Sequence, residues 1–162
     1  MHLESSIVIQ KAPDEVWSFL EDVSNVPKWD RGVASVRVTS TCPSGVGSEF
    51  DTFPYPRRRG GGQEWGRMSY RVTEWDTAAR SCVINLISTT GNARFFRSAA
   101  WLTRVEPAPE GSRVVSCVDF TLRRRYAFLA PVLYAKRRAI LIDIECLRRA
   151  LESASEGDRS QP

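Results

Sequence analysis

The sequence has almost no histidine, a single His2 in 162 residues. Most hydrolase and Cys-His mechanisms need a base that titrates near pH 7, and histidine is the side chain that does so unperturbed. Catalysis by this chain would therefore fall to carboxylates, Arg, Tyr, Ser or groups carried by the substrate. The four cysteines, Cys42, Cys82, Cys117 and Cys146, are far apart and show no C-x-x-C spacing. A zinc site would have to be assembled from scattered residues, so neither a metal nor an organic cofactor is expected, and the thiols read as free in a reducing compartment. Long apolar runs are missing as well. None approaches the roughly 20 residues that cross a bilayer, and residues 1–10 lack the basic start and apolar block of a secretion signal. The expectation is a cytoplasmic protein without stable membrane insertion.

What is present fits one globular unit. Hydrophobic residues make up 42% and charged residues 26% of the chain, enough to bury a core at this length. One domain is expected over 1–152, followed by a flexible polar tail over 153–162. The net charge is +4, with basic runs at Arg57-Arg58-Arg59, Arg123-Arg124-Arg125 and Lys136-Arg137-Arg138. No aromatic side chains are interleaved with these runs as a single-strand platform would need. They read as solvated faces, and no nucleic-acid partner is expected. A rival reading makes them the working surface for an acidic membrane or a phosphate backbone.

Periodicity supplies the elements. Ser6 to Gln10 is β-branched and extended. Pro13, Asp14 and Glu15 then suit a helix N-terminus ahead of Val16, Trp17, Phe19 and Leu20. Asp22 to Trp29 reads as a second short helix. From Val33 the period changes to two, with Val36 and Val38 alternating with Arg37 and Thr39. Strand-like segments recur over 46–55, 64–75, 82–88, 93–105 and 113–122, with turn residues between them. From Pro131 to Leu151 the apolar residues Leu133, Ile140, Ile144, Leu147 and Leu151 form one helical stripe. The fold class is α+β. A curved antiparallel sheet of six or seven strands wraps a long C-terminal helix, with two short helices after the first strand and a pocket in the gap.

The ordered set Ser6-Ile7-Val8-Ile9, Ala12-Pro13-x-x-Val16-Trp17, Asp22-Val23 to Pro27-x-Trp29, Gly45-Val46-Gly47, Trp101 and Gly111-Ser112-Arg113-Val114 resembles the START-like (SRPBCC, Bet v 1-like) superfamily with its helix-grip fold. Within it, the segment Trp65-x-x-x-Ser69-x-Arg71-Val72 looks like that of bacterial polyketide cyclase/dehydrase proteins, aromatase/cyclases included. Where those cyclases carry a pocket Tyr, this chain has Val33 or a near neighbour, and where they carry a second pocket Arg, the matching position is close to Leu86. The resemblance implies a cavity for a hydrophobic, polyketide-like or aromatic molecule, with Arg71 and Ser69 as the catalytic pair that steers carbonyl or enol oxygens. Period-two geometry would set Trp65, Arg67, Ser69 and Arg71 on one face. The expected ligand-binding wall adds Trp29, Leu86, Trp101, Ser116, Val118 and Phe120 from the sheet side, and Leu133, Tyr134 and Arg137 from the helix. Delivery by an acyl carrier protein is compatible with this reading, as is a lid built from residues 57–62, and the chain could act as a monomer or a homodimer. The alternative is a carrier or sensor that binds a lipid or hydrophobic metabolite without turning it over.

Overall fold

The computed structural model describes residues 1–56, 66–88, 90–135 and 137–158; the side chains of residues 92, 137–141 and 153–158 stand outside that description. Seven antiparallel strands form one sheet: β1 (His2–Ile9), β2 (Ser35–Val38), β3 (Glu49–Phe53), β4 (Met68–Asp76), β5 (Ser81–Leu86), β6 (Phe96–Ala108) and β7 (Gly111–Leu122). Their spatial order is β1-β7-β6-β5-β4-β3-β2, a meander whose last strand returns beside the first. Helices α1 (Pro13–Glu21) and α2 (Val26–Trp29) follow β1, and α3 (Ala130–Ala135) and α4 (Arg137–Asp158) end the chain. This is the expected helix-grip architecture.

Local chemistry explains the departures from the sequence reading. Pro13 and the acidic pair Asp14 and Glu15 open α1 as expected, but the second helix is split. Asp22 caps a 3-10 turn over Val23–Asn25 by accepting from the Ser24 N–H, and Pro27 sits at the start of the single turn of α2. The long C-terminal stripe is likewise divided into α3 and α4. Helix α4 runs on to Asp158, past the point where a tail was expected.

The core has two centres. Ile9, Val16, Trp17, Val105, Val114, Leu147 and Leu151 pack where α1 and the far half of α4 meet the sheet. Ala99, Val118 and Phe120 form a smaller cluster, against which Leu86, Trp101 and Leu133 pack. Gly111 closes the β6–β7 hairpin at φ +133°, and a Cβ there would stand 2.3 Å from the Ile9 carbonyl oxygen. Glycine is required both by that conformation and by the close approach of β1.

Candidate active site in the sheet–helix cavity

Between the two core centres the sheet and α4 part to leave a cavity of about 170 Å³. The floor is aromatic: Phe50 stacks on Tyr70 at 5.3 Å, and Tyr70 meets Trp101 edge-on at 5.2 Å. Strand register aligns Phe50 with Tyr70, Ile84 with Trp101, and Trp101 with Val118. A bulge between Val72 and Glu74 shifts the phase of β4, which lets Val72 and Trp75 both face the cavity although they are three residues apart. Trp29, Val26 and Val33 close the side under α2, and Ile144 of α4 forms the roof. A shallower depression outside α1 shares Glu21, Val23 and Trp75 with the cavity, and its other walls are mainly Ser, Asp, Pro and Gly. It lacks the apolar enclosure that holds a hydrophobic ligand.

Besides Glu21, which the cavity shares with that depression, two carboxylates line this apolar space close to one another, Asp30 after α2 and Asp143 on α4. Burial raises the Asp30 pKa, against a hydrogen bond its carboxylate accepts from the Gly32 N–H at 2.8 Å. Asp143 is pushed up to about 6, first by burial and then by the negative charge of Asp30, while the Arg31 N–H and guanidinium hold it back. Like charges in a low-dielectric site resist ionising together. Tyr70 completes the polar set. Burial raises its pKa, the Thr52 hydroxyl that hydrogen-bonds the phenol lowers it, and Asp30 raises it further. The Cys82 thiol, also in the wall, is pushed up to about 11 by burial and stays protonated.

The structure places the residues expected from sequence unequally. Trp29, Trp101, Ser116 and Val118 line the cavity. Leu86, Phe120 and Leu133 pack in the adjoining core cluster instead of on the cavity surface. Tyr134 is half exposed on α3. Trp65, the side chain of Arg137 and the loop 57–62 lie outside the described residues. Arg71 and Ser69 are corrected: they point away from the cavity. Arg71 is exposed and donates to Glu49 Oε1 from Nε at 2.8 Å and Nη2 at 2.6 Å. Ser69 and Arg67 belong to a cluster on the same outer face around the buried Asp51, which accepts from Arg37 at 2.9 Å and lies 3.8 Å from Arg67. Burial works to raise the Asp51 pKa, but Ser69, Arg37 and Arg67 outweigh it and hold it below the usual range. The reason is phase. In β4 the apolar residues are Tyr70 and Val72, so a sheet buried on one face turns them inward and sends Ser69 and Arg71 outward.

Among the residues that sequence reasoning missed, Asp143 leaves a signal, a lone carboxylate in the apolar run Ala139-Ile140-Leu141-Ile142-Asp143-Ile144. Asp30 leaves none, because only the tertiary fold brings α2 against α4.

The profile of the family described as "Polyketide cyclase / dehydrase and lipid transport" matches residues 1–154. The chain belongs to that family. Among solved structures, the Zhui aromatase/cyclase from Streptomyces sp. R1128 matches with a TM-score of 0.75 at 16% identity, over 94% of this chain and 93% of that one. Ara h 8.0201 matches with a TM-score of 0.71 at 13% identity, over 94% and 98%. Norcoclaurine synthase from Thalictrum flavum, solved with dopamine and hydroxybenzaldehyde, matches with a TM-score of 0.69 at 12% identity, over 99% and 89%. At these identities the likeness shows the Bet v 1-like fold. No curated protein matches the sequence. Among the described residues, no helix is long and apolar enough to cross a membrane.

Proposed function

We propose that this family member binds a polyketide-like or aromatic small molecule in the cavity and catalyses its cyclisation and dehydration by acid–base chemistry. The observation that supports this reading is the Asp30–Asp143 pair facing one apolar space, with the Asp143 pKa near 6. A carboxylate tuned towards the working pH is a better proton carrier than an ordinary one, because it is present as base and can return the proton as acid. One carboxylate removes a proton from a methylene flanked by carbonyls. The enolate carbon attacks a second carbonyl, forming the C–C bond. The partner carboxylic acid protonates the resulting alkoxide to a hydroxyl. The carboxylate so formed then takes the adjacent C–H proton, while the first carboxyl, protonated in the opening step, gives its proton to the hydroxyl, which departs as water. Tyr70 and Thr52 offer hydroxyl donors to the carbonyl oxygens, and the aromatic floor folds the chain so that the reacting carbons meet. The Zhui aromatase/cyclase and norcoclaurine synthase, two enzymes of this fold, are consistent with such use of it.

The test incubates the purified chain with synthetic linear poly-β-ketones and reads products by mass spectrometry and binding by calorimetry. Asp143→Asn and Asp30→Asn are expected to lower kcat by about 10²–10⁴ with little change in ligand affinity. Turnover that survives both substitutions would overturn the acid–base assignment. Tight binding of the wild type with no product would establish the carrier reading in its place.

A further inference from the structure

Along the chain the single histidine and the four cysteines have no ligand spacing, but the pairing of β1 with β7 assembles a donor set that spacing does not show. Register puts His2 opposite Asp119 and Glu4 opposite Cys117. On β1, Leu3 and Ser5 turn towards the protein interior while His2 and Glu4 are exposed. On β7, Ser116 and Val118 face the cavity, so Cys117 and Asp119 project from the same outer face as His2 and Glu4. One ligand atom each from His2, Glu4 and Cys117 lies within 4.8 Å of the others.

We propose that this outer face of β1 and β7 is a divalent-metal site suited to Zn²⁺, with His2, Glu4 and Cys117 as ligands and Asp119 as the residue that orients His2. His2 Nδ1 stands 2.9 Å from Asp119 Oδ1, and Nε2 stands 3.6 Å from Glu4 Oε2. A carboxylate that accepts from Nδ1–H fixes the ring and leaves the Nε2 lone pair for the metal, the arrangement by which outer-shell carboxylates support ligating histidines. Imidazole, carboxylate and thiolate together suit borderline-soft zinc, whereas calcium and magnesium take oxygen ligands. Tetrahedral zinc bonds imply ligand atoms roughly 3.5 Å apart, so modest rotation of the long Glu4 side chain closes the set. The Glu4 carboxylate and the Cys117 thiolate balance the two positive charges of the ion. The neighbouring Arg104 guanidinium, which also acts on Cys117, is already paired with Glu106 at 2.8 Å. A fourth position faces solvent and would take water. Since β1 is a sheet edge and the neighbours of Cys117 line the cavity, metal would clip that edge to the strand that walls the ligand.

The experiment uses the full chain without a histidine tag, reduced and stripped with chelator, and titrates it with Co²⁺ and then Zn²⁺. The expected result is a near-ultraviolet thiolate-to-cobalt band that saturates at one ion per chain and disappears on adding Zn²⁺. Zinc should also raise the melting temperature, as any ligand of the folded state does. Cys117→Ser and His2→Ala should each weaken Zn²⁺ binding by at least about tenfold and Asp119→Asn by about tenfold, while the exposed Cys42→Ser changes nothing. Absence of the thiolate band at saturating Co²⁺ would overturn the proposal. So would a Zn²⁺ affinity that is unchanged in folded Cys117→Ser and His2→Ala chains, with circular dichroism confirming the fold.

Discussion

Replacing Asp143 by Asn should stabilise the protein at alkaline pH while disabling it, and the size of the gain follows from its surroundings. The Asp143 pKa rises from an ordinary 3.8 to about 6 in the folded state, mainly because burial penalises the charge. Below pH 3.8 the carboxyl is protonated in folded and unfolded chains alike and costs nothing. Between pH 3.8 and 6 the unfolded chain ionises while the folded one holds its proton, so stability falls as pH rises. Above pH 6 both are ionised and the penalty is complete. A shift of this size corresponds to about 3 kcal/mol at most. Asp143 is only partly buried, so solvent screening leaves roughly 1–2 kcal/mol. Asn keeps an oxygen to accept the Arg31 N–H and carries no charge. Urea denaturation of wild type and Asp143→Asn at pH 4 and pH 8 measures the difference. The variant should be the more stable by roughly 1–2 kcal/mol at pH 8, or roughly 2–6 °C in Tm, and near parity at pH 4. A variant less stable at pH 8, or a difference independent of pH, would refute the claim that Asp143 carries a buried charge opposed by Asp30.

Arg71→Ala should leave ligand affinity within about twofold and stability within about 1 kcal/mol, since it breaks an exposed pair with Glu49; calorimetric titration of a bound aromatic probe checks both claims. Tyr70→Phe keeps the aromatic contacts with Phe50 and Trp101 and removes the hydroxyl, so kcat should fall about tenfold or more with little effect on Tm. Gly111→Ala forces a Cβ to 2.3 Å from the Ile9 carbonyl oxygen at a positive φ, and a loss of about 3 kcal/mol or more is expected in denaturant titrations. Leu147→Ala, at a site 2% exposed in the larger core centre, should cost about 3–5 kcal/mol by the same measurement.

The order of elements was legible because each leaves a local imprint. Val36 and Val38 alternate with polar residues, Pro13 and its acidic neighbours start a helix, and Ile144, Leu147 and Leu151 recur at helical spacing. The cavity wall was legible where bulk and apolarity coincide, at Trp29, Trp101 and Val118. In β4 the resemblance and the hydrophobic pattern imply opposite phases, and the structure follows the pattern. The alternation of Ser69, Tyr70, Arg71 and Val72 already assigns Tyr70 and Val72 to the buried face on hydrophobicity alone. That phase puts Arg71 on the outer face, while its pairing with Glu49 comes from the β3–β4 register.

By itself, then, the sequence determined which segments are strands and helices and which face of each is apolar, since both follow from periods of two and 3.6 along a single segment. The tertiary structure decided which polar groups share a space. Asp30 raises the Asp143 pKa because α2 packs against α4, and His2, Glu4, Cys117 and Asp119 meet because the first strand pairs with the last. Neither meeting has a local signature: burial and Coulomb interactions depend on distance through space, and chain order does not encode it.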